Sequence, residues 1–158
     1  DGSVWRCMPE AELLQSWWHR FEKSADFGIT VVTFNGRSFD CPFLMLRSAL
    51  LRVRPSRNLM AGTRWNFDGH IDLQAELAFK ENDKTGPTKR WNFDFYCKAF
   101  GITSPKEEGI TGSDVARLFN AGEHQVIAEY CMRDVRATWE LFKVWKGFIH
   151  GIPSLTGR

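Results

Sequence analysis

The chain predicts an α/β fold, and three observations carry that prediction. Ile29-Thr30-Val31-Val32-Thr33-Phe34 is an unbroken run of β-branched and aromatic residues, the composition of a strand buried on both faces of a parallel or mixed sheet. Asn35-Gly36 then breaks the run, since both residues tolerate positive φ. Beyond the break Phe39, Phe43, Leu46 and Leu50 recur at helical spacing, so the strand feeds a helix. Its 158 residues suit a single domain built around one sizeable core.

In chain order, Asp1 to Met8 has no clear element. Pro9 opens a helix, with Glu10 and Glu12 in its first turn, where carboxylates complement the helix dipole. Leu13, Leu14, Trp17, Trp18 and Phe21 form its core-facing stripe. Glu22 to Gly28 turns into the strand at residues 29–34. The next helix spans about residues 39–52, with Ser38 as N-cap and Pro42 inside the first turn, where a missing N–H is tolerated. A hairpin at Asn35-Gly36 is the alternative, but an alternating second run is lacking.

Val53 to Asn58 is a loop, with Arg52, Arg54 and Arg57 in or beside it, solvated or in contact with a phosphate. Met60 to Gly69 is an irregular connection. His70-Ile71-Asp72-Leu73 reads as a short strand running into a helix of about residues 73–80, with Asp72 as its N-cap and His70 a packed or surface histidine. The polar stretch Lys80 to Arg90 is an exposed loop whose Lys84, Lys89 and Arg90 could meet a phosphate backbone.

Asn92 caps a helix ending at Gly101, with Phe93, Tyr96, Cys97 and Phe100 as its buried stripe. Ile102 to Gly112 is a linker, and Ser113 caps a short helix to about Asn120. Glu123 to about Gly147 is the longest helix. Val126, Ile127, Tyr130, Cys131, Val135, Thr138, Leu141, Phe142 and Trp145 make its apolar stripe.

Two carboxylates stand out. Asp40 lies just past the carboxyl end of a strand, where open α/β sheets place their sites, although an Asp there also serves the helix dipole. Asp134 flanks the apolar stripe of the last helix, one turn from Tyr130 on the same face. A carboxylate at the edge of a buried seam needs a partner: Arg133 or Arg136 beside it, or a metal ion.

Composition narrows the classes. Hydrophobic residues make up 43% and charged residues 25%, as in soluble globular proteins. Seven Trp and thirteen Phe suit a large core or a base-stacking surface. A net charge of +2 does not by itself argue nucleic-acid binding. Cys7, Cys41, Cys97 and Cys131 are scattered without a Cys-x-x-Cys pair, which points to reduced thiols and a cytoplasmic location. No stretch reaches the roughly 20 apolar residues of a membrane span, and no signal peptide heads the sequence.

The pair Phe34-Asn35-Gly36-Arg37-Ser38-Phe39-Asp40 and Tyr130-Cys131-Met132-Arg133-Asp134 resembles the second and third motifs of the DEDD 3′–5′ exonucleases. The Tyr-x-x-x-Asp form marks the subgroup with a catalytic tyrosine. Asn-Gly-x-x-Phe-Asp-x-Pro is similar to the proofreading domain of family B DNA polymerases, and closer still to the predicted exonucleases related to it. The likeness runs from about Glu12 to Leu141.

The resemblance implies an RNase H-like mixed sheet of five strands flanked by helices. It implies two divalent cations, Mg²⁺ or Mn²⁺, roughly 3.5–4 Å apart, that clamp the attacking and leaving oxygens. Asp134 would bind the metal that activates water, Asp40 would serve the second through bound water, and the Tyr130 hydroxyl would orient the attacking water. Phe39 would wedge against the terminal bases and Asn35 would bond to the terminal nucleotide, with Arg37 beside them on the nucleic acid. The implied partner is the 3′ end of a single strand, DNA before RNA, in repair or proofreading, and no polymerase partner is identified.

One feature departs from the family. Its first motif, an Asp-x-Glu on the first strand, has no match upstream of the Glu12 helix. The expectation is a domain beginning after its first two or three strands, with two of four metal carboxylates, weak metal binding, little activity alone and an exposed apolar edge beside Ile29–Phe34. Three readings follow: a metal-dependent exonuclease, a non-catalytic relative that binds a nucleic-acid end, and a scaffold with incidental motifs.

Overall fold

A computed structural model of the chain describes residues 8–62, 67, 69–79, 91–153 and 155, excluding the side chains of 107 and 108. The expected loop at Lys80–Arg90, Cys7 and much of the Met60–Gly69 connection lie outside the described residues. The chain divides into two compact units, Asp1–Asp72 and Leu73–Arg158.

The first unit contains α1 (Glu10–Ala25), β1 (Val31–Thr33), α2 (Asp40–Leu50) and β2 (His70–Asp72). The strands pair in parallel, Val31 against His70, Val32 against Ile71 and Thr33 against Asp72. Mixed α/β character and the strand–helix order agree with the sequence. The expected strand at 29–34 does not hold its length: only three residues pair, they are half-buried, and Ile29 is exposed.

Pro9 caps α1 as expected. Leu14 and Trp18 are buried and pack with Cys41 of α2, Val53 and Leu59, while Trp17 and Phe21 border this core. Leu13, expected in the stripe, is exposed. Trp18 is 2% exposed, and its Nε1–H donates to the Ser48 hydroxyl at 2.8 Å. That bond satisfies the indole while its ring is buried, the usual condition for burying Trp. Ser48 in turn donates to the Leu44 carbonyl at 2.7 Å. Arg47 on α2 donates from Nε to Glu10 of α1 at 2.8 Å, and Arg57 pairs with Asp26 at 2.8 Å.

Two features of α2 differ from expectation. Ser38 is not its cap. The N-cap is Phe39, with no side-chain cap bond, because the turn from Gly36 already occupies the first amides. The periodic residues Phe39, Phe43, Leu46 and Leu50 are all exposed. The face that packs carries Cys41, Leu44, Met45 and Ser48 instead. Both faces of this helix are apolar, so periodicity alone could not choose between them.

The second unit is helical: α3 (Leu73–Leu77), α4 (Phe93–Ala99), α5 (Val115–Asn120) and α6 (His124–Phe148), with 3₁₀ turns at Pro105–Glu108 and Gly112–Asp114. α3, α4, α5 and the first 3₁₀ turn pack on α6. Leu73, Leu77, Tyr96, Cys97, Leu118, Ala137, Leu141 and Trp145 are buried here. Asn92 caps α4 as expected, accepting from the Phe95 N–H at 2.9 Å.

α4 ends at Ala99, two residues before the expected Gly101, where φ is +67°. There the Gly101 N–H reaches the Lys98 carbonyl at 3.3 Å and the Ile102 N–H reaches Cys97 at 2.8 Å. This left-handed terminus suits glycine. Phe100, expected to be buried, is exposed. So are Cys131 and Val135 of α6, because the seam that packs runs through Ala137, Leu141 and Trp145. Ser113 is not the cap of α5: its N-cap is Asp114, and Thr111 caps the 3₁₀ turn that precedes it. The Thr111 amide and hydroxyl both donate to Asp114, at 2.9 and 2.7 Å, in a capping box. The expected linker contains the Pro105–Glu108 turn.

Candidate active site

The loop from β1 to α2 is built on a glycine and a buried carboxylate. Asn35 takes φ +63°, a conformation Asn adopts more readily than most residues. Gly36 is buried, and a Cβ there would lie 2.5 Å from Thr33 Cβ. Its N–H donates to Thr33 Oγ1 at 3.2 Å, and its carbonyl accepts from the Phe39 and Cys41 amides at 3.3 and 2.8 Å. The chain thus folds back on β1 before α2 starts.

Asp72, at the end of β2, secures this turn. It is 4% exposed. Its Oδ1 accepts from the Asn35 N–H at 2.8 Å and its Oδ2 from the Arg37 N–H at 3.1 Å. Charge-assisted bonds of this kind are stronger than neutral ones, and they resolve the cost of burying the carboxylate. The expectation for Asp72 was a helix cap. In the fold its carboxylate serves the loop that presents Asp40, and only the parallel pairing of Thr33 with Asp72 brings it there. The sequence signal that could have found this role is the Asp at the end of a second strand.

Arg37 braces the same loop from outside. Its guanidinium donates to the carbonyls of Ala61 and Met60, each at 3.0 Å, and lies 4.0 Å from the centre of the Phe67 ring. This side chain, expected on nucleic acid, is therefore engaged in joining the loop to Met60, Ala61 and Phe67. His70 is buried as one of the two expected alternatives, with Nε2 2.8 Å from Thr33 Oγ1 and Nδ1 4.0 Å from Cys41 Sγ. Burial holds its pKa below the ordinary value, against the pull of Asp72. Burial, and then the charge of Asp40, push the Cys41 thiol up to about 11, so this cysteine stays protonated and unreactive.

Asp40 stands on the first turn of α2, exposed, beside exposed Phe39, whose ring stacks on Phe43 at 5.9 Å. Its pKa lies above the usual carboxylate value, first from partial desolvation. Its own backbone amide opposes that shift and the negative charge of Asp72 adds to it.

In the second unit Tyr130 and Asp134 share one face of α6, both half-buried. The Tyr130 phenol has a raised pKa: desolvation is the main cause, the Asp134 charge comes next, and a hydrogen bond to the Asp134 side chain contributes. The Arg133 guanidinium carbon lies 6.0 Å from the Tyr130 ring centre.

Hard carboxylate oxygens and a phenol suit Mg²⁺ or Mn²⁺. Among the described residues, no three His, Cys, Asp or Glu side chains gather as a metal-holding group. The donor types at Asp40, Asp134 and Tyr130 fit such a cation. None of the helices among the described residues is long and apolar enough to cross a membrane.

Residues 6–150 match the family described as "Predicted 3'-5' exonuclease related to the exonuclease domain of PolB". The chain belongs to that family. It is also 30% identical over 148 residues, 87% of this chain and 76% of the relative, to "Uncharacterized protein MJ0365" of Methanocaldococcus jannaschii. No solved structure matches the chain.

Proposed function

We propose that this chain is the metal-dependent 3′–5′ exonuclease its family suggests, of the subgroup with a catalytic tyrosine and with an RNase H-like fold. It hydrolyses phosphodiester bonds at the 3′ end of single-stranded nucleic acid, DNA in preference to RNA, in the cytoplasm. The observation that carries the reading is the Tyr130–Asp134 pair on one face of α6, in a chain of an exonuclease family.

Asp134 and Asp40 are the carboxylates that would hold two divalent cations. Those cations would supply charge stabilisation at the scissile phosphate and an acidified water. Tyr130 orients the water through its hydroxyl. Phe39, exposed and stacked on Phe43, offers a ring to the terminal base, and Asn35 bonds to the terminal nucleotide. Asp72 is a positioning residue, acting through the loop that presents Asp40.

The test is a 5′-labelled single strand incubated with Mg²⁺ or Mn²⁺. Stepwise shortening from the 3′ end is expected, with losses of at least about a hundredfold in Asp134→Asn and Asp40→Asn. Shortening unchanged in both variants would remove the proposal. A second reading is a relative that binds a nucleic-acid end without cutting it. It predicts binding of the strand with no shortening under either metal.

A further inference from the structure

A cleft of about 410 Å³ opens in the second unit between residues 101–105 and α6. Its size is that of small-ligand sites. Arg133, Ala137 and Glu140, spaced i, i+4 and i+7, place it on the stripe next to the one holding Tyr130 and Asp134. Arg133 adjoins both, lining the cleft and standing near the Tyr130 ring.

The opposite wall is hydrogen-bonded. Ile102 is fixed by the terminus of α4. Ser104 is buried, and its hydroxyl donates to Asp94 at 2.6 Å while accepting from the Lys106 N–H at 3.3 Å. Ile102, Pro105 and Ala137 give the cleft apolar surface, exposed Arg136 gives it a guanidinium group, and Arg133 lines it with its Nε and Nη2 buried. Glu140, the one carboxylate among the described lining residues, is paired with Lys143 at 2.7 Å. An apolar surface beside a planar cation fits a nucleotide: guanidinium forks match phosphate oxygens, and a sugar and base cover the apolar wall.

We propose that this cleft binds the nucleotide adjacent to the terminal one, its phosphate on Arg136 and its sugar and base against Ile102, Pro105 and Ala137. The assignment of "adjacent" rests on the exonuclease reading. The presence of a nucleotide site rests on the cleft alone.

The test is competition by unlabelled thymidylates, one to three nucleotides long, against a fluorescent four-nucleotide strand, read by anisotropy in Ca²⁺. In the wild type the dinucleotide should compete about tenfold better than the mononucleotide. Arg136→Glu should erase that step and lower the salt slope by about one, leaving the mononucleotide value unchanged. Arg136→Gln, milder for folding, should halve the step or more. Lys146→Glu, exposed on the same helix but away from the cleft, should keep it.

A step retained in both Arg136 variants overturns the proposal, as does failure of every length to compete. The exonuclease reading is scored separately, by Mn²⁺ binding to Asp134→Asn. Unchanged Mn²⁺ binding with a step that still depends on Arg136 removes that reading and keeps the nucleotide site. The opposite pair of results removes only the cleft.

Discussion

Asp72 and Asp40 show how one carboxylate is stabilised by the fold while another, at the start of the next helix, is left exposed. Asp72 accepts two backbone amides, and hydrogen bonds to a charged group contribute about 1.5–3 kcal/mol each. Asp72→Asn removes the charge and turns a donor toward one of those amides. A loss of about 2–3 kcal/mol in urea unfolding is expected, and the Asp40 pKa, read by carboxyl NMR titration, should fall because a raising charge is gone. An unmoved Asp40 titration would show that the two groups do not interact.

Asp40 itself has a folded pKa above its ordinary value. Between those two values the folded state binds more protons than the unfolded one, so stability falls as pH rises through that window. At neutral pH ionised Asp40 weighs against the fold. Asp40→Asn should therefore melt higher than the wild type at pH 7 without divalent cations, and the difference should shrink as the pH drops below the ordinary carboxylate value. Such trade-offs are common at active sites. Of these residues, Asp40, Tyr130 and Asp134 were legible as candidates from position and spacing. Asp72 was not, because its amide partners lie 35 and 37 residues away.

At the scale of elements, the order strand, helix, strand, helix could be read from residue type, and α1, α4 and α6 fall within a few residues of their expected bounds. Burial was harder to read. α2 carries apolar residues on two faces, and contact with Trp18 and Leu14, not periodicity, selects Cys41 and Ser48 for the interior. Trp18→Ala should cost about 3–5 kcal/mol, as for large core truncations. Leu50→Gln, at a position 70% exposed, should stay within about 0.5 kcal/mol of wild type. Urea midpoints of the two variants check the assignment of faces, and a costly Leu50→Gln would reverse it.

For the whole molecule, the family and the mixed α/β character agree with the sequence, and the sheet among the described residues is smaller than expected: two parallel strands of three residues. If Asp134 holds a cation as proposed, Mn²⁺ binds the folded chain and not the unfolded one, and the melting temperature rises with its concentration. That rise should disappear in Asp134→Ala. Equal shifts in both proteins would place Mn²⁺ elsewhere.

What the sequence determined by itself is what short-range physics controls. Runs of β-branched residues favour extended chain, helical spacing of apolar residues favours helices, and Tyr130 and Asp134 four residues apart must share a face. Tertiary structure alone decided which apolar face of α2 is buried, that Arg37 reaches the carbonyls of residues 60 and 61, and that Asp72 holds the Asn35–Arg37 turn. Those choices depend on groups far apart in the chain, and their energies exist only once parallel pairing of β1 with β2 has brought them within bonding distance.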